Sequence, residues 1–411
     1  MANRRERFRQ YMARLSSAAH PREAIKEGLY VPRPGRSVAD QLVSRIELEP
    51  TASHLVVGGV GSGKTTQLLV ARERLKEILD VKPFFIDVSQ KHDLAHLQSG
   101  VLVVLAGLRL GALLQDNALS EVKEAQRFFK QVADGWTEWV DDIDDYEISE
   151  WEVNDSEPED FPPVRPVRHK GILVPPLPPI RQDIQQKAEQ LRKLQEAAAS
   201  QWPHIVLLFD SLDRLTNLGP FDELVQQDIR AIRSVGIGVV VVGPLRTMFA
   251  TDRPIADRFD YFYHQPSVDV QGDASGRDFL RQVLRRRADP EILPNTPLRR
   301  LVRMSGGVIR DLISLARAAG EEAYTAGADR IGLAHVNAAA DAFGRTLMLG
   351  LGTDEVDAMQ RVRSKGAFVP TSDKEVALLL TRRVLEYGSN GRTRYAVHPT
   401  LAPLLSQLSG K

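Results

Sequence analysis

A glycine-rich stretch between residues 54 and 66 carries the clearest chemical signal in this chain. Every fixed position of the phosphate-binding pattern G-x-x-x-x-G-K-[ST] is filled, by Gly58, Gly63, Lys64 and Thr65. Backbone N–H groups can wrap around a phosphate only where no Cβ atom blocks them, and a following helix directs its positive end at the same anion. The predicted nucleotide-binding residues are Gly58, Gly59, Val60, Gly61, Ser62, Gly63, Lys64, Thr65 and Thr66.

Metal binding is the second chemistry that the residue types indicate. In a phosphate loop the lysine reaches the β- and γ-phosphates, and the hydroxyl of the next residue binds Mg²⁺. Asp210 ends the apolar run that begins at Ile205, and a buried parallel strand delivers its last residue to the edge of the sheet where ligands bind. We therefore expect ATP and Mg²⁺ as cofactors, with Thr65 and Asp210 as the metal-binding residues.

Arginines follow or precede two further strand-like runs. Arg246 and Thr247 come just after the apolar run 236–243, which places them to face the γ-phosphate. Arg253 and Arg258 come just before the run 261–264.

Apolar strand-like runs alternate with helix-like segments, which predicts a parallel sheet in an α/β fold. From Ser275 to about Gly350 the pattern is helical, and the last 60 residues read as two helices, 354–363 and 373–385, and a hairpin at Asn390-Gly391. The predicted fold is thus α/β: a parallel-sheet P-loop NTPase domain with a helical lid and a C-terminal winged-helix domain. Its predicted boundaries are 1–50 for a helical lead-in, 51–270 for the core, 271–350 for the lid and 351–411 for the winged helix.

The winged helix is a candidate surface for DNA, because arginines cluster around its hairpin and could contact phosphates. Winged helices also serve as protein-interaction or autoinhibitory modules, so both readings stay open. The arginines in question are Arg382, Arg383, Arg392 and Arg394.

Composition narrows the class of protein. Lysine plus arginine and aspartate plus glutamate number 54 each, so any binding to nucleic acid must come from a local patch. The chain has no cysteine, which excludes disulfides and thiolate metal sites and fits a reducing cytoplasm. The sequence shows neither a membrane-spanning run nor a secretory signal, so we expect a cytoplasmic protein.

A long insertion of unusual composition interrupts the core at about 130–180. Residues 134–160 hold 13 acidic residues, no lysine or arginine, and three tryptophans; eight prolines follow between Pro158 and Pro179. The ordinary interpretation is a solvated loop. The tryptophans favour a docking segment that folds back on a basic surface.

Together these motifs resemble those of AAA+ ATPases and the related STAND ATPases, and the order of domains looks most like the initiator and loader branch, which recognises replication origins. The resemblance covers about 25–110 and 200–408. It implies that Arg310, in the segment 305–312, is similar to the lid arginine that touches the γ-phosphate. Arg246 corresponds to the first sensor region, and Arg253 or Arg258 is placed like an arginine finger that acts on a neighbouring subunit.

One departure from the resemblance concerns the residue after Asp210. AAA+ ATPases usually carry a glutamate there, which orients the attacking water, but this chain has Ser211. Asp213 is the substitute carboxylate, and the arrangement resembles STAND and KAP-type ATPases. The departure implies slow turnover. The predicted catalytic residues are Lys64, Asp210, Asp213, Arg246, Arg258 and Arg310.

Three functions remain open from the sequence. The first is an ATP-driven switch, either monomeric or homo-oligomeric, that controls binding of DNA or a protein partner through its winged helix. The second is a STAND-like sensor in bacterial anti-phage defence that acts with a separate effector. The third is a non-enzymatic DNA-binding or scaffold protein with a structural nucleotide.

Overall fold

The computed structural model describes residues 4–16, 21–134, 168–169, 172–173, 183–249, 254–389 and 392–408. Most of the predicted insertion, including its tryptophans, lies outside the described residues, and so does Arg253. Within the described ranges, no helix is long and apolar enough to cross a membrane.

The core is built on a five-stranded parallel sheet in the order β2-β5-β6-β1-β7. β1 lies between β6 and β7 and is buried along its whole length, which brings the phosphate loop to the carboxyl edge of the sheet. The strands are β1 (Ser53–Gly58), β2 (Val81–Asp87), β3 (Arg168–His169), β4 (Ile172–Leu173), β5 (His204–Asp210), β6 (Gly238–Val242), β7 (Tyr261–Gln265), β8 (Val384–Ser389) and β9 (Arg392–Val397).

Helices cover both faces of this sheet. The long apolar helix α6 packs with α7 and α8 on one face, together with the helical stretch 218–234, while α3 and α4 cover the other. The helices of the core and its lead-in are α1 (Arg4–Ser16), α2 (Pro21–Lys26), α3 (Val38–Leu48), α4 (Lys64–Leu75), α5 (Val88–Lys91), α6 (Val101–Leu113), α7 (Ser120–Asp134), α8 (Ile184–Ala199), α9 (Leu218–Leu224) and α10 (Arg230–Ser234).

The lid is a separate helical cluster with its own apolar core. The N-terminal helix α1 joins it rather than the sheet: Phe8, Tyr11 and Leu15 are buried there, and the Tyr11 hydroxyl donates to the Ala316 carbonyl at 2.6 Å. The lid helices are α11 (Ala274–Arg285), α12 (Asn295–Met304), α13 (Ile309–Thr325) and α14 (Leu333–Met348).

The C-terminal unit contains α15 (Thr353–Lys365), α16 (Asp373–Leu380), the antiparallel pair β8–β9, and α17 (Ala402–Leu408). Two helices followed by a hairpin confirm the predicted winged-helix arrangement, and with the sheet and the lid they confirm the predicted fold class. The predicted second helix, 373–385, is too long: it ends at Leu380 because the chain enters β8 at Val384. The boundaries at 50, 270 and 350 stay predictions.

A buried carboxylate fixes the start of α6 against the sheet-covering helices. Asp228 lies in a π-helical turn (Val225–Ile229) and accepts the backbone N–H groups of Gly100 at 2.7 Å and Leu102 at 2.8 Å. Burial raises the pKa of Asp228 to about 6, because the charged form has left water. The N–H groups that it accepts are ones that the first turn of a helix cannot satisfy by itself.

Replacing Asp228 by alanine should therefore destabilise the core. The change leaves two buried N–H groups without an acceptor, and we expect a loss of about 3 kcal/mol in the free energy of unfolding. Urea denaturation measures it. Ser99, whose half-buried hydroxyl donates to Asp228 at 3.1 Å, supplies the control: Ser99→Ala should cost less than about 1 kcal/mol. Equal losses in both variants would contradict this account.

Candidate functional site

The backbone between β1 and α4 has the conformation that a phosphate loop requires. Gly61 and Gly63 have φ values of 79° and 97°, in the left-handed region that favours glycine. A Cβ atom at Gly61 would also lie 2.7 Å from the Cβ of Arg310, because the lid passes directly over the loop. Gly63 starts α4 without a side-chain cap, which leaves the first N–H groups of this helix available to an anion.

Lys64 is buried at the centre of the loop, with its side chain 5% exposed. Its Nζ donates to the carbonyl oxygens of Gly58 at 2.8 Å and Gly59 at 3.1 Å, and it forms an ion pair with Asp213 at 2.9 Å. These three partners use all three N–H donors of the ammonium group. A phosphate that binds Lys64 must therefore displace at least one of them.

Asp213 reaches Lys64 because of an unusual backbone turn after β5. Ser211 has a φ of 73°, and the short 3₁₀ turn Leu212–Arg214 follows it. A left-handed serine costs of order 1 kcal/mol or more, so the surrounding contacts must hold it in place. The sequence prediction placed Asp213 at the terminal phosphate. The structure brings it to the phosphate-loop lysine, but no observation tests its catalytic role, which stays a prediction.

The predicted metal residues are in contact. Asp210 is almost fully buried at the end of β5 and shares a hydrogen bond with the Thr65 side chain. Burial, together with the nearby carboxylates of Asp213 and Asp87, raises the pKa of Asp210 to about 6. A carboxylate, a hydroxyl and surplus negative charge are the surroundings that a hard cation prefers, so these residues fit Mg²⁺.

An apolar pocket adjoins the phosphate loop, and of its lining residues only those of the loop itself, Ser62, Gly63 and Thr66, were predicted from the sequence. Its walls come from the lead-in, from the start of α4 and from the lid, and an aromatic ring is among them, that of Tyr30. The apolar lining and the aromatic ring suit the base of a nucleotide. The sequence signal was weak: it consisted of the extended stretch 28–34 that precedes α3. The lining includes Ile25, Tyr30, Val31, Thr66, Phe279 and Ile309.

Arg310 lies on the first turn of α13, above the loop. Its Cβ packs on Gly61, and its charge interacts with Asp213. Burial first, and then the charge of Arg382, lower the pKa of Arg310. The structure thus brings Arg310 close to Asp213, the partner of Lys64, while its contact with a γ-phosphate stays a prediction.

Arg246 and Arg258 do not join this group in the structure. Arg246 forms an ion pair with Asp373 of the C-terminal unit at 2.6 Å, and Arg258 forms one with Asp222 at 2.6 Å. Their predicted roles, as a sensor and as an arginine finger for a neighbouring subunit, therefore stay predictions.

The winged-helix arginines are also engaged within the chain. Arg383 donates to the Leu347 and Leu349 carbonyls at the end of α14, Arg394 donates to Asp269 at 2.7 Å, and Arg382 lies 3.3 Å from Asp311. The sequence predicted guanidinium groups that are free to contact phosphates, whereas in the structure these groups have partners within the chain. The cause is that the unit packs against the lid and against the loop after β7. Arg392 starts β9, and its side chain lies outside the described part of the structure.

No protein-family model and no curated protein sequence matches the chain. Among solved structures, it is similar to the Aeropyrum pernix ORC2 protein (ADPNP–ADP complexes), with 12% identity and a TM-score of 0.46 over 93% of this chain and 97% of that chain. It is also similar to the Aeropyrum pernix ORC1 protein in complex with DNA, with 15% identity and a TM-score of 0.45 over 92% and 94%.

A third similar structure is the Thermotoga maritima RuvB Holliday junction branch migration motor, with 11% identity and a TM-score of 0.40 over 91% of this chain and 95% of that chain. The ORC proteins are of the class that the sequence motifs resemble. At these identities and TM-scores, the similarity assigns no function to this chain.

The raised pKa of Asp210 predicts how the free energy of unfolding changes with pH. Its folded pKa of about 6 exceeds the unfolded value near 4, so the carboxylate opposes folding increasingly as pH rises through this window, by about 3 kcal/mol at most. Asp210→Asn should therefore unfold at higher urea than the wild type at pH 7.5, and the difference should shrink toward pH 4. Adding Mg²⁺ should stabilise the wild type and leave Asp210→Asn unchanged.

Glu77, an exposed carboxylate just after α4, supplies the control: Glu77→Gln should show no such trend. A variant Asp210→Asn that is less stable than the wild type at pH 7.5 without Mg²⁺ would contradict the assignment of a buried, charged carboxylate.

Proposed function

We propose that this protein binds ATP with Mg²⁺ at the carboxyl edge of its sheet and hydrolyses it slowly, as a molecular switch. The observation that supports this most strongly is the convergence of two contacts, Lys64 with Asp213 and Thr65 with Asp210. They bring a phosphate-binding cation and a metal-binding pair to one loop. The apolar pocket beside this loop accommodates the base.

Each residue has a distinct task in this proposal. The first N–H groups of α4 and Lys64 bind the phosphates, and Arg310 adds positive charge from the lid. Asp210 and the Thr65 hydroxyl would hold Mg²⁺, which when bound would neutralise charge on the transferred phosphoryl group. Asp213 leaves Lys64 when phosphate binds and then orients the water that attacks the γ-phosphorus.

Slow turnover follows from the same contacts. The position after Asp210 carries a serine, which cannot act as a base, and the substitute carboxylate is paired with Lys64. A sensor that binds ATP and rarely hydrolyses it, as in the STAND-like reading, is therefore the second candidate function. The output is binding of DNA or a protein partner by the C-terminal unit, and a DNA contact there requires Arg382, Arg383 and Arg394 to leave their present partners.

Lys64→Ala tests the nucleotide site directly. Removing the ammonium group leaves Asp213 facing the phosphates, so we expect at least a tenfold loss of ATP affinity, measured with a fluorescent ATP analogue. Lys76→Ala, at the end of α4 and partly exposed, is the matched control and should bind normally. ATP affinity that is unchanged in Lys64→Ala would refute the proposed site.

Asp213→Asn separates binding from turnover. Because Asp213 competes with phosphate for Lys64, the variant should bind ATP at least as tightly as the wild type, while steady-state hydrolysis falls about tenfold or more. Normal hydrolysis in Asp213→Asn would exclude its catalytic role.

Measuring ATP hydrolysis across protein concentration tests Arg258. A rate per subunit that rises with concentration, and does not rise in Arg258→Ala, supports an arginine supplied by a neighbour.

The two candidate functions differ in their response to DNA. A switch that controls DNA binding should show nucleotide-dependent DNA affinity that falls steeply with salt, because phosphate contacts release counterions. The sensor should show neither. Titration of fluorescent duplex DNA, with and without ATP at two salt concentrations, distinguishes them.

A further inference from the structure

The C-terminal unit (residues 351–408) is docked beside the phosphate loop by contacts that reach across three parts of the chain. The Ser267 N–H donates to the Glu386 carbonyl at 3.1 Å, just after β7. The Tyr387 hydroxyl donates to the Gly306 carbonyl at 2.7 Å, in the turn before α13. Contacts of this kind connect the hairpin strand β8 to both the sheet and the lid.

The turn before α13 is held on both sides. Gly307 has a φ of 85°, its carbonyl accepts the Val268 N–H at 3.2 Å, and a Cβ atom there would lie 1.7 Å from the Val268 carbonyl oxygen. On its other side, Gly306 packs against Leu385 of β8. Arg310 follows only a few residues later. The start of α13 therefore cannot shift over the phosphate loop without disturbing the docked hairpin.

Opposite charges meet at the same junction. Asp311 follows Arg310, is 1% exposed, and has Arg382 Nε at 3.3 Å and His398 Nε2 at 3.6 Å, both from the C-terminal unit. None of these three polar atoms has a hydrogen bond of good geometry, so the contact is mainly electrostatic. Arg382 has a φ of 61°, which is rare for arginine and places it where the chain turns from α16 into β8.

Arg382 also lies close to the phosphate loop. It lines a small cleft together with Gly59 and Val60. Its charge opposes that of Arg310, and Asp311 is the buried anion that compensates both. A triphosphate bound next to Arg310 would add further negative charge at this junction and would reduce the repulsion between the two arginines.

We propose that Asp311 and Arg382 are positioning residues that couple the nucleotide to the C-terminal unit, so that binding of ATP and docking of the unit favour each other. This inference rests on the proposed function, because it takes Arg310 to be near the phosphates. By reciprocity, a docked Arg382 raises the affinity for ATP as much as ATP strengthens docking. Loss of the γ-phosphate after hydrolysis weakens both.

The test compares two charge pairs that join the C-terminal unit to the rest of the chain. Arg382→Gln removes the pair at α13, whereas Asp269→Asn weakens the pair with Arg394, which is attached to the loop after β7. The readouts are ATP and ADP affinity, from a fluorescent analogue, and hydrogen exchange of the β8 and β9 amides with and without ATP. A purely structural contact would not make this exchange depend on the nucleotide.

In the wild type, ATP should slow exchange in β8 and β9. In Arg382→Gln this effect should disappear, and ATP affinity should fall about fivefold or more, with a smaller change for ADP. Arg382→Lys retains the positive charge and should keep most of the effect. Asp269→Asn should exchange faster than the wild type in both conditions, yet keep the slowing by ATP and an ATP affinity within about twofold.

Two results would overturn the inference in different ways. If Arg382→Gln binds ATP like the wild type and retains the slowing of exchange, the coupling is wrong while the nucleotide site stands. If the wild type itself fails to bind ATP, both the proposed function and the coupling are wrong. Thermal unfolding of each variant confirms that it is folded before these comparisons are made.

Discussion

The buried ion pair between Lys64 and Asp213 is the interaction on which the rest of the site depends. Lys64 is buried and Asp213 is largely buried, so their desolvation is costly, and their attraction offsets this cost only if the geometry is good and the remaining donors are satisfied. The carbonyl oxygens of Gly58 and Gly59 complete this arrangement. In the proposed function, a phosphate that binds Lys64 must therefore displace Asp213 or one of these two carbonyl oxygens.

The neighbouring carboxylate, Asp210, lacks such a positively charged partner. Asp210 is buried beside Asp213 and Asp87 with only the Thr65 hydroxyl and a backbone N–H to compensate it, and its pKa rises accordingly. One strand end therefore holds a carboxylate that is neutralised by a lysine and another that is short of positive charge. This asymmetry suits the proposed binding of a phosphate chain and a divalent cation.

The lid and the C-terminal unit close over these charges from two directions. The turn before α13 contacts the loop after β7 on one side and the hairpin on the other. Just after this turn, Arg310 packs on the phosphate loop and Asp311 pairs with Arg382 of the C-terminal unit. A short segment of helix thus joins the phosphate loop to the winged helix. Such a connection gives a switch a physical route, because packed elements shift between discrete arrangements rather than bending freely.

The sequence by itself determined the parts of this protein that depend on local pattern. The G-x-x-x-x-G-K-[ST] spacing identified the loop, because its glycines serve a backbone conformation, and the apolar run that ends at Asp210 identified β5, because a strand buried on both faces leaves a continuous signal. The prediction of a helical lid and a winged helix succeeded for the same reason. Its error at 380–385 arose because the apolar residues Val384 and Leu385 suit a helix as well as a strand.

Only the tertiary structure decided which charged side chains meet. Arginines are common in this chain, and nothing in their spacing shows that Arg246 pairs with Asp373 or that Arg394 pairs with Asp269. The same holds for the apolar pocket, whose walls come from segments more than 200 residues apart. The partner of a side chain depends on how the domains pack, which is a long-range property. The secondary structure of each segment, by contrast, depends largely on residues that are close in sequence.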